Sequence, residues 1–273
     1  VRLAAARAAA RRCAAPFRAI FFSTLDPEIS SSTQPVLNAG RPCPPPPAPA
    51  PLPPLPTTMA RLYIVTPPTT SARELRLLPA VLDAAGAPAG AVLHVRKPGA
   101  SRGELAAYLD ALPPRHRAAA VLHTHHDLAG RAGARGVHHR AADAPPGRIK
   151  APPGLTVSLA AHTLEELGVC RGEIDYFLLA PIHASVSKPR HAPAGGLADR
   201  AALAAAVRTA RAPVVALGGV RPGALAALAS WGFAGAALLG AVWDADDPVA
   251  AAAAAAQAAA AAAWEDAPPA GCL

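Results

Sequence analysis

The sequence predicts a single (β/α)8 barrel over residues 59–265. Short apolar runs alternate with helical stretches eight times after Met59. The runs are apolar on both faces, as strands of a parallel sheet covered by helices are. Histidines and glycine pairs gather where the runs end, the rim on which such barrels carry chemistry. An open doubly wound sheet lacks support, because no G-x-G-x-x-G follows the first run.

Taken in order, "RLYIVT" (61–66) is a strand and 71–85 a helix. "AVLHVR" (91–96) is the second strand, and 101–112 a helix opened by a capping box of Ser101 and Glu104. "AAAVLH" (118–123) is the third strand, followed by a short helix near 126–133. "GVHH" (136–139) is a short fourth strand with little helix after it. "LTVSLA" (155–160) is the fifth, and "HTLEELGV" opens the next helix. "DYFLLA" (175–180) is the sixth, with a helix over 199–210. Strand "PVVALG" (213–218), helix 222–231, strand "GAALLG" (235–240) and helix 247–263 complete the alternation.

The flanks differ in composition. Many of the 32 prolines fall between Pro42 and Pro56, a segment with too little side chain to offset its ordering entropy. Residues 1–58 are therefore expected to be a disordered tail, as are residues 266–273. The tail is arginine-rich at its start, like an organelle transit peptide. Met59, the only methionine, stands directly before the first strand. A plastid or mitochondrial location follows if the tail is translated, and a cytoplasmic one if Met59 is the start. Six arginines against two acids put half of the net charge of +8 in the tail. The remaining charge suits small anions, and no basic stripe with interleaved aromatics points to nucleic acid. Cys13, Cys43, Cys170 and Cys272 show no metal-ligand spacing and suggest no disulfide framework. No run spans a bilayer, since Ala250–Ala263 is too weakly hydrophobic. A homo-oligomer is compatible with the sequence, with nothing in it to set the order.

Five histidines, His94, His123, His138, His162 and His183, fall at or just past strand ends two to six. Each alone reads as a buried polar group that has found a partner; five at one rim argue for a site. Gly218-Gly219 and Gly240, after strands seven and eight, offer backbone N–H groups to a phosphate, although a tight turn alone also needs glycine. The loop "PIHASVSK" adds Ser185, Ser187 and Lys188, two hydroxyls and an ammonium suited to the same anion. "HTHH" (123–126) places His123 and His125 on one side if the strand continues, but no fourth ligand has the spacing of a closed zinc site.

In order, "LHVRKPGAS", "VLHTHHDLA", "GVHHR", "VSLAAHTLEE", "DYFLLAPIHASVSK", "VVALGGVRP" and "GFAGAALLGAVW" resemble the thiamine phosphate synthase and TenI superfamily across residues 61–243. The resemblance implies a (β/α)8 barrel that binds a phosphorylated thiazole and, in the synthases, a pyrimidine methyl diphosphate with Mg2+. It implies that Arg96 and Lys188 hold the departing diphosphate. Ser185, Ser187, Gly219 and Gly240 would cradle the thiazole phosphate, Gly218 would support that turn, and His94 and His123 would line the substrate site. His162 matches the acid/base histidine of TenI-like tautomerases, which need no metal. The family's metal aspartate falls on Thr124, and Asp143 is a loose match to a second one. The lysine expected after Arg96 is displaced to Lys97, and a serine appears as Ala160. Three readings follow: a TenI-like thiazole tautomerase, preferred for the missing metal carboxylate; a thiamine phosphate synthase; and a non-catalytic phosphate-binding protein.

Overall fold

In the computed structural model, eight parallel strands close in sequence order, with β1 paired to both β2 and β8. The structure describes residues 61–141, 149–150, 152–168, 172–184 and 193–264. The expectations for residues 1–58 and 266–273 lie outside them. The strands are β1 (Leu62–Val65), β2 (Ala91–Val95), β3 (Ala120–Leu122), β4 (Gly136–His139), β5 (Thr156–Ala161), β6 (Tyr176–Leu179), β7 (Val214–Ala216) and β8 (Gly235–Leu238). Almost every strand residue is buried, because one face meets the helices and the other the barrel interior. Odd and even positions separate into two cores. Tyr63, Val65, Val92, Val121, Tyr176, Leu178, Val215 and Ala237 form the interior. Leu62, Ile64, Leu93, Leu122, Phe177 and Leu179 pack outward under the helices.

The helices begin where side chains can satisfy their first N–H groups. Ser71 caps α1 (Ala72–Ala84), and Ser101 with Glu104 forms the expected capping box on α2 (Arg102–Asp110). A short α3 (Pro114–Arg117), not anticipated, precedes β3, and α4 (Leu128–Ala132) ends at a left-handed Gly133. Asp199 caps α5 (Arg200–Arg208). A 3-10 turn over Pro222–Ala224 leads into α6 (Leu225–Ser230). Gly240, read as the end of the eighth strand, instead opens α7 (Gly240–Trp243). Asp247 then caps α8 (Pro248–Ala261), which has Pro248 in its first turn. No helix among the described residues is long and apolar enough to cross a membrane.

The helix expected from "HTLEELGV" is a 3-10 turn over Glu165–Gly168. Its carbonyls are claimed from outside: the Arg211 N–H donates to Leu167 O, and Arg211 Nε donates to Gly168 O at 2.7 Å.

Lys97 and Glu74, each about 1% exposed, form an ion pair at 2.6 Å inside the fold. Lys97 Nζ also donates to Pro67 O at 2.7 Å and Thr69 O at 3.3 Å, and Tyr108 Oη donates to Glu74 Oε1 at 2.7 Å. Burial pushes the Lys97 pKa down, and Glu74 pushes it back. The ammonium therefore fixes the β1–α1 loop to the end of β2. Lys97 is taken up by this structural role and does not stand in for the family's active-site lysine. Replacing Lys97 by Met strands a buried carboxylate and should cost about 3–5 kcal/mol in urea unfolding. Glu74→Leu combined with Lys97→Met should recover most of that loss. Equal destabilisation in the single and double variants would remove the ion pair as the cause.

Candidate active site

The parity of the strands decides which polar residues meet. His94 shares its face of β2 with the inward Val92 and lies opposite Val121 of β3. His138 lies opposite Ser158 in the β4–β5 register, and Ser158 opposite Tyr176 in the β5–β6 register. His123 follows directly on β3. The result is a polar cluster in the barrel mouth. His94 Nδ1 is 2.9 Å from His123 Nε2, and His94 Nε2 is 2.8 Å from Tyr176 Oη. His138 Nδ1 is 2.9 Å from Ser158 Oγ. The His123 and His138 rings lie 4.2 Å apart, and His94 and His138 5.5 Å. His94 and His138 are buried, and His123 is the partly buried member.

Burial holds all three imidazoles neutral. It pushes the His94 pKa down to about 3. Burial first, then the neighbouring imidazoles and, for His123, the Arg96 guanidinium, push His123 and His138 well down. His94 and His123, expected to line the substrate site, lie with His138 in the floor of the barrel mouth. Tyr176 was not anticipated, because it opens a run that otherwise reads as apolar, and Ser158 was placed at a strand end without a role.

Around this floor stand the rim groups. Arg96, just past β2, is half-buried, its backbone N–H donating to Thr66 Oγ1 at 2.9 Å. No carboxylate among the described residues pairs with its guanidinium. His162, just past β5, is exposed; its Nδ1–H donates to Ala180 O at 3.0 Å, and its backbone N–H donates to Glu166 Oε2 at 2.6 Å. That bond orients the ring and, in the neutral imidazole, places the acceptor lone pair on Nε2. His183 does not join the cluster: its ring lies 6.4 Å from Trp231, and its buried Nε2 has no hydrogen-bond partner among the described residues.

"HTHH" divides as well. His125 takes a left-handed backbone, φ 51°, and bonds through Nε2 to Ala100 O at 2.9 Å, while His126 bonds to His138 O at 3.1 Å. The alternation assumed for His123 and His125 fails because the strand stops at Leu122.

On the other side of the barrel, loops six and seven are laced together. Ile182 N donates to Leu217 O and His183 N to Gly218 O, both at 3.0 Å. Gly218 (φ 93°) and Gly219 (φ 64°) are left-handed, and a Cβ on Gly219 would stand 2.6 Å from Ala184 O and 2.8 Å from His183 O. Glycine is therefore needed here for the close approach of two loops as well as for any anion. A β-branched residue at 219 should disturb loop packing and binding together. Ser185, Ser187, Lys188 and Asp143 lie outside the described residues.

Magnesium requires carboxylates and water in a tight octahedron. At the ends of β2 to β4 the described residues offer imidazoles, a guanidinium and Thr124, whose buried Oγ1 has no hydrogen-bond partner among them. These described donors do not by themselves fit magnesium.

Residues 62–242 match the family model described as thiamine monophosphate synthase. The thiamine-phosphate synthase of Anaeromyxobacter dehalogenans is 42% identical over 167 residues, 60% of this chain and 69% of that protein. The thiamine-phosphate synthase of Bordetella pertussis is 33% identical over 197 residues, 69% of this chain and 89% of that protein. Among solved structures, a thiamine phosphate pyrophosphorylase from Bacteroides thetaiotaomicron superposes with a TM-score of 0.56 at 23% identity, covering 73% of this chain and 97% of that one. At that identity the likeness speaks to the fold.

The neutral imidazoles set a pH dependence. Unfolded histidine binds a proton below about pH 6.5, whereas folded His94 does so only near pH 3. The unfolded state therefore binds more protons between these values, and stability, fully present above about pH 6.5, falls as pH drops. The slope approaches about 1.4 kcal/mol per pH unit for each imidazole. Urea melts of chelator-treated protein from pH 7.5 to 4.5 should show this fall, and His94→Gln should reduce its slope by one imidazole's share. A pH-independent midpoint would contradict the buried neutral cluster.

Proposed function

The chain belongs to the thiamine phosphate synthase/TenI superfamily of enzymes, and from that premise we propose that it condenses a pyrimidine methyl diphosphate with a thiazole phosphate. In this reaction the methylene–oxygen bond breaks, diphosphate leaves with the electron pair, and the thiazole nitrogen forms the new bond to carbon. Arg96 carries the reading: a half-buried guanidinium without a carboxylate partner among the described residues is a cation kept for a ligand anion. The Gly218-Gly219 turn supplies a second anion position three strands away around the barrel. Two anion positions suit a diphosphate and a phosphate together, whereas a tautomerase acts on one phosphate.

The relatives named above as synthases support the same choice. The preference for a tautomerase drawn from the sequence is therefore reversed. It rested on the missing metal carboxylate, and Arg96 with Lys188 offers cationic charge in compensation. His162 keeps the tautomerase as the second reading, since its pinned Nδ1–H leaves Nε2 free to accept a proton.

The deciding assay supplies pyrimidine diphosphate with thiazole phosphate in one arm and thiazole phosphate carboxylate alone in the other. The synthase reading expects thiamine phosphate and one equivalent of diphosphate in the first arm and no turnover in the second. Arg96→Ala should lower kcat/KM for condensation by about 10²–10³, the loss typical of removing a charge-stabilising donor. His162→Ala should cost condensation less than about tenfold. Turnover only in the second arm, with a loss of about 10²–10⁴ for His162→Ala, would establish the tautomerase instead. Silence in both arms with tight thiamine phosphate binding would leave a binding protein.

A further inference from the structure

We infer that His94, His123 and His138 form a three-imidazole site for a divalent transition metal in the barrel mouth. One ligand nitrogen from each ring can be chosen so that all three lie within 4.8 Å of one another. They come from three adjacent strand ends, so the backbone that places them is the hydrogen-bonded barrel itself. In a tetrahedral site with metal–nitrogen bonds of about 2.0–2.1 Å, ligand nitrogens stand roughly 3.3 Å apart. His94 Nδ1 and His123 Nε2, now 2.9 Å apart, need to open by only a few tenths of an ångström.

The groups behind the cluster are those a metal ligand uses. A ligating histidine typically donates its other ring N–H to an oxygen, which fixes tautomer and orientation. His94 meets Tyr176 Oη through Nε2, leaving Nδ1 for the metal. His138 meets Ser158 Oγ through Nδ1, leaving Nε2. Ser158 Oγ in turn lies 3.4 Å from Val137 O, to which it can pass its own hydrogen. Neutral imidazoles need no deprotonation to bind at neutral pH. Nitrogen ligands without a carboxylate select zinc, cobalt, nickel or copper over magnesium.

His123, the one member of the cluster that is not fully buried, lies beside Arg96. A dication there, next to a guanidinium, calls for an anionic fourth ligand. Under the condensation proposed above, and resting on it, an oxygen of the diphosphate is that ligand.

The test uses the full chain, stripped with chelator and titrated with Zn2+, and with Co2+ as a spectroscopic probe. The expected result is one equivalent of either metal, a tetrahedral Co2+ visible spectrum, and little competition from Mg2+. His123→Ala, the least buried of the three positions, with folding of the variant checked by circular dichroism, should weaken Zn2+ at least about 100-fold. Ser158→Ala should weaken it about 10–100-fold, as loss of a supporting partner does. His125→Ala, whose imidazole bonds to Ala100 O instead, should leave binding unchanged. Inorganic diphosphate should tighten Zn2+ binding. Tightening absent while stoichiometric binding persists keeps the metal site and removes its link to the leaving group. No stoichiometric binding, or loss on His125→Ala with none on His123→Ala, overturns the proposal and leaves a hydrogen-bonded imidazole cluster.

Discussion

Closure of the barrel is the constraint on which the site depends. Eight strands enclose an interior just wide enough to be filled by side chains, so every second residue of each strand is forced into one narrow volume. In most of that volume the occupants are apolar: Val65, Val92, Val121, Leu178, Val215 and Ala237. Among the inward positions, one each on β2, β4, β5 and β6 instead holds His94, His138, Ser158 and Tyr176. Polar groups confined there must satisfy one another, and they do so through imidazole–imidazole, imidazole–phenol and imidazole–hydroxyl bonds. The same confinement keeps the imidazoles uncharged and raises the Tyr176 phenol pKa.

The rim inherits its shape from this packing. Arg96 stands one residue past β2, and its backbone N–H is held by Thr66 while the next residue, Lys97, is pinned inside by Glu74. A buried ion pair thus fixes the backbone from which an exposed-side cation projects. Across the barrel, the Gly218-Gly219 turn is fixed by the loop after β6 lying against it. One side of the mouth is set by charge and the other by close backbone approach. Between them His162 is held by Ala180 O and Glu166.

The fold was legible because its signals are local. Uniformly apolar runs of four to six residues, capping residues such as Ser101 and Glu104, and the glycines after β7 appear in the chain as they act in the structure. The site was legible only in part. His94, Arg96, His123, His138 and His162 were marked by their place at strand ends. Which way each one faces was hidden, since a strand buried on both faces shows no polar alternation to read. The roles of Ser158 and Tyr176 were concealed for that reason. His125 was misplaced because the backbone turns left-handed one residue after Thr124. Lys97 was misread because its partner Glu74 lies 23 residues away in sequence and meets it only after folding.

The central claim is that one barrel mouth holds two anions, with a diphosphate on Arg96 and a phosphate on the Gly218-Gly219 turn. A crystal structure of the full chain with thiamine phosphate and inorganic diphosphate tests it most directly. The account predicts diphosphate oxygens on the Arg96 guanidinium, the thiamine phosphate group at the backbone of Gly219, and the pyrimidine between them above His94 and His123. Both anions bound elsewhere, or a phosphate on Arg96 with nothing at Gly219, would contradict it.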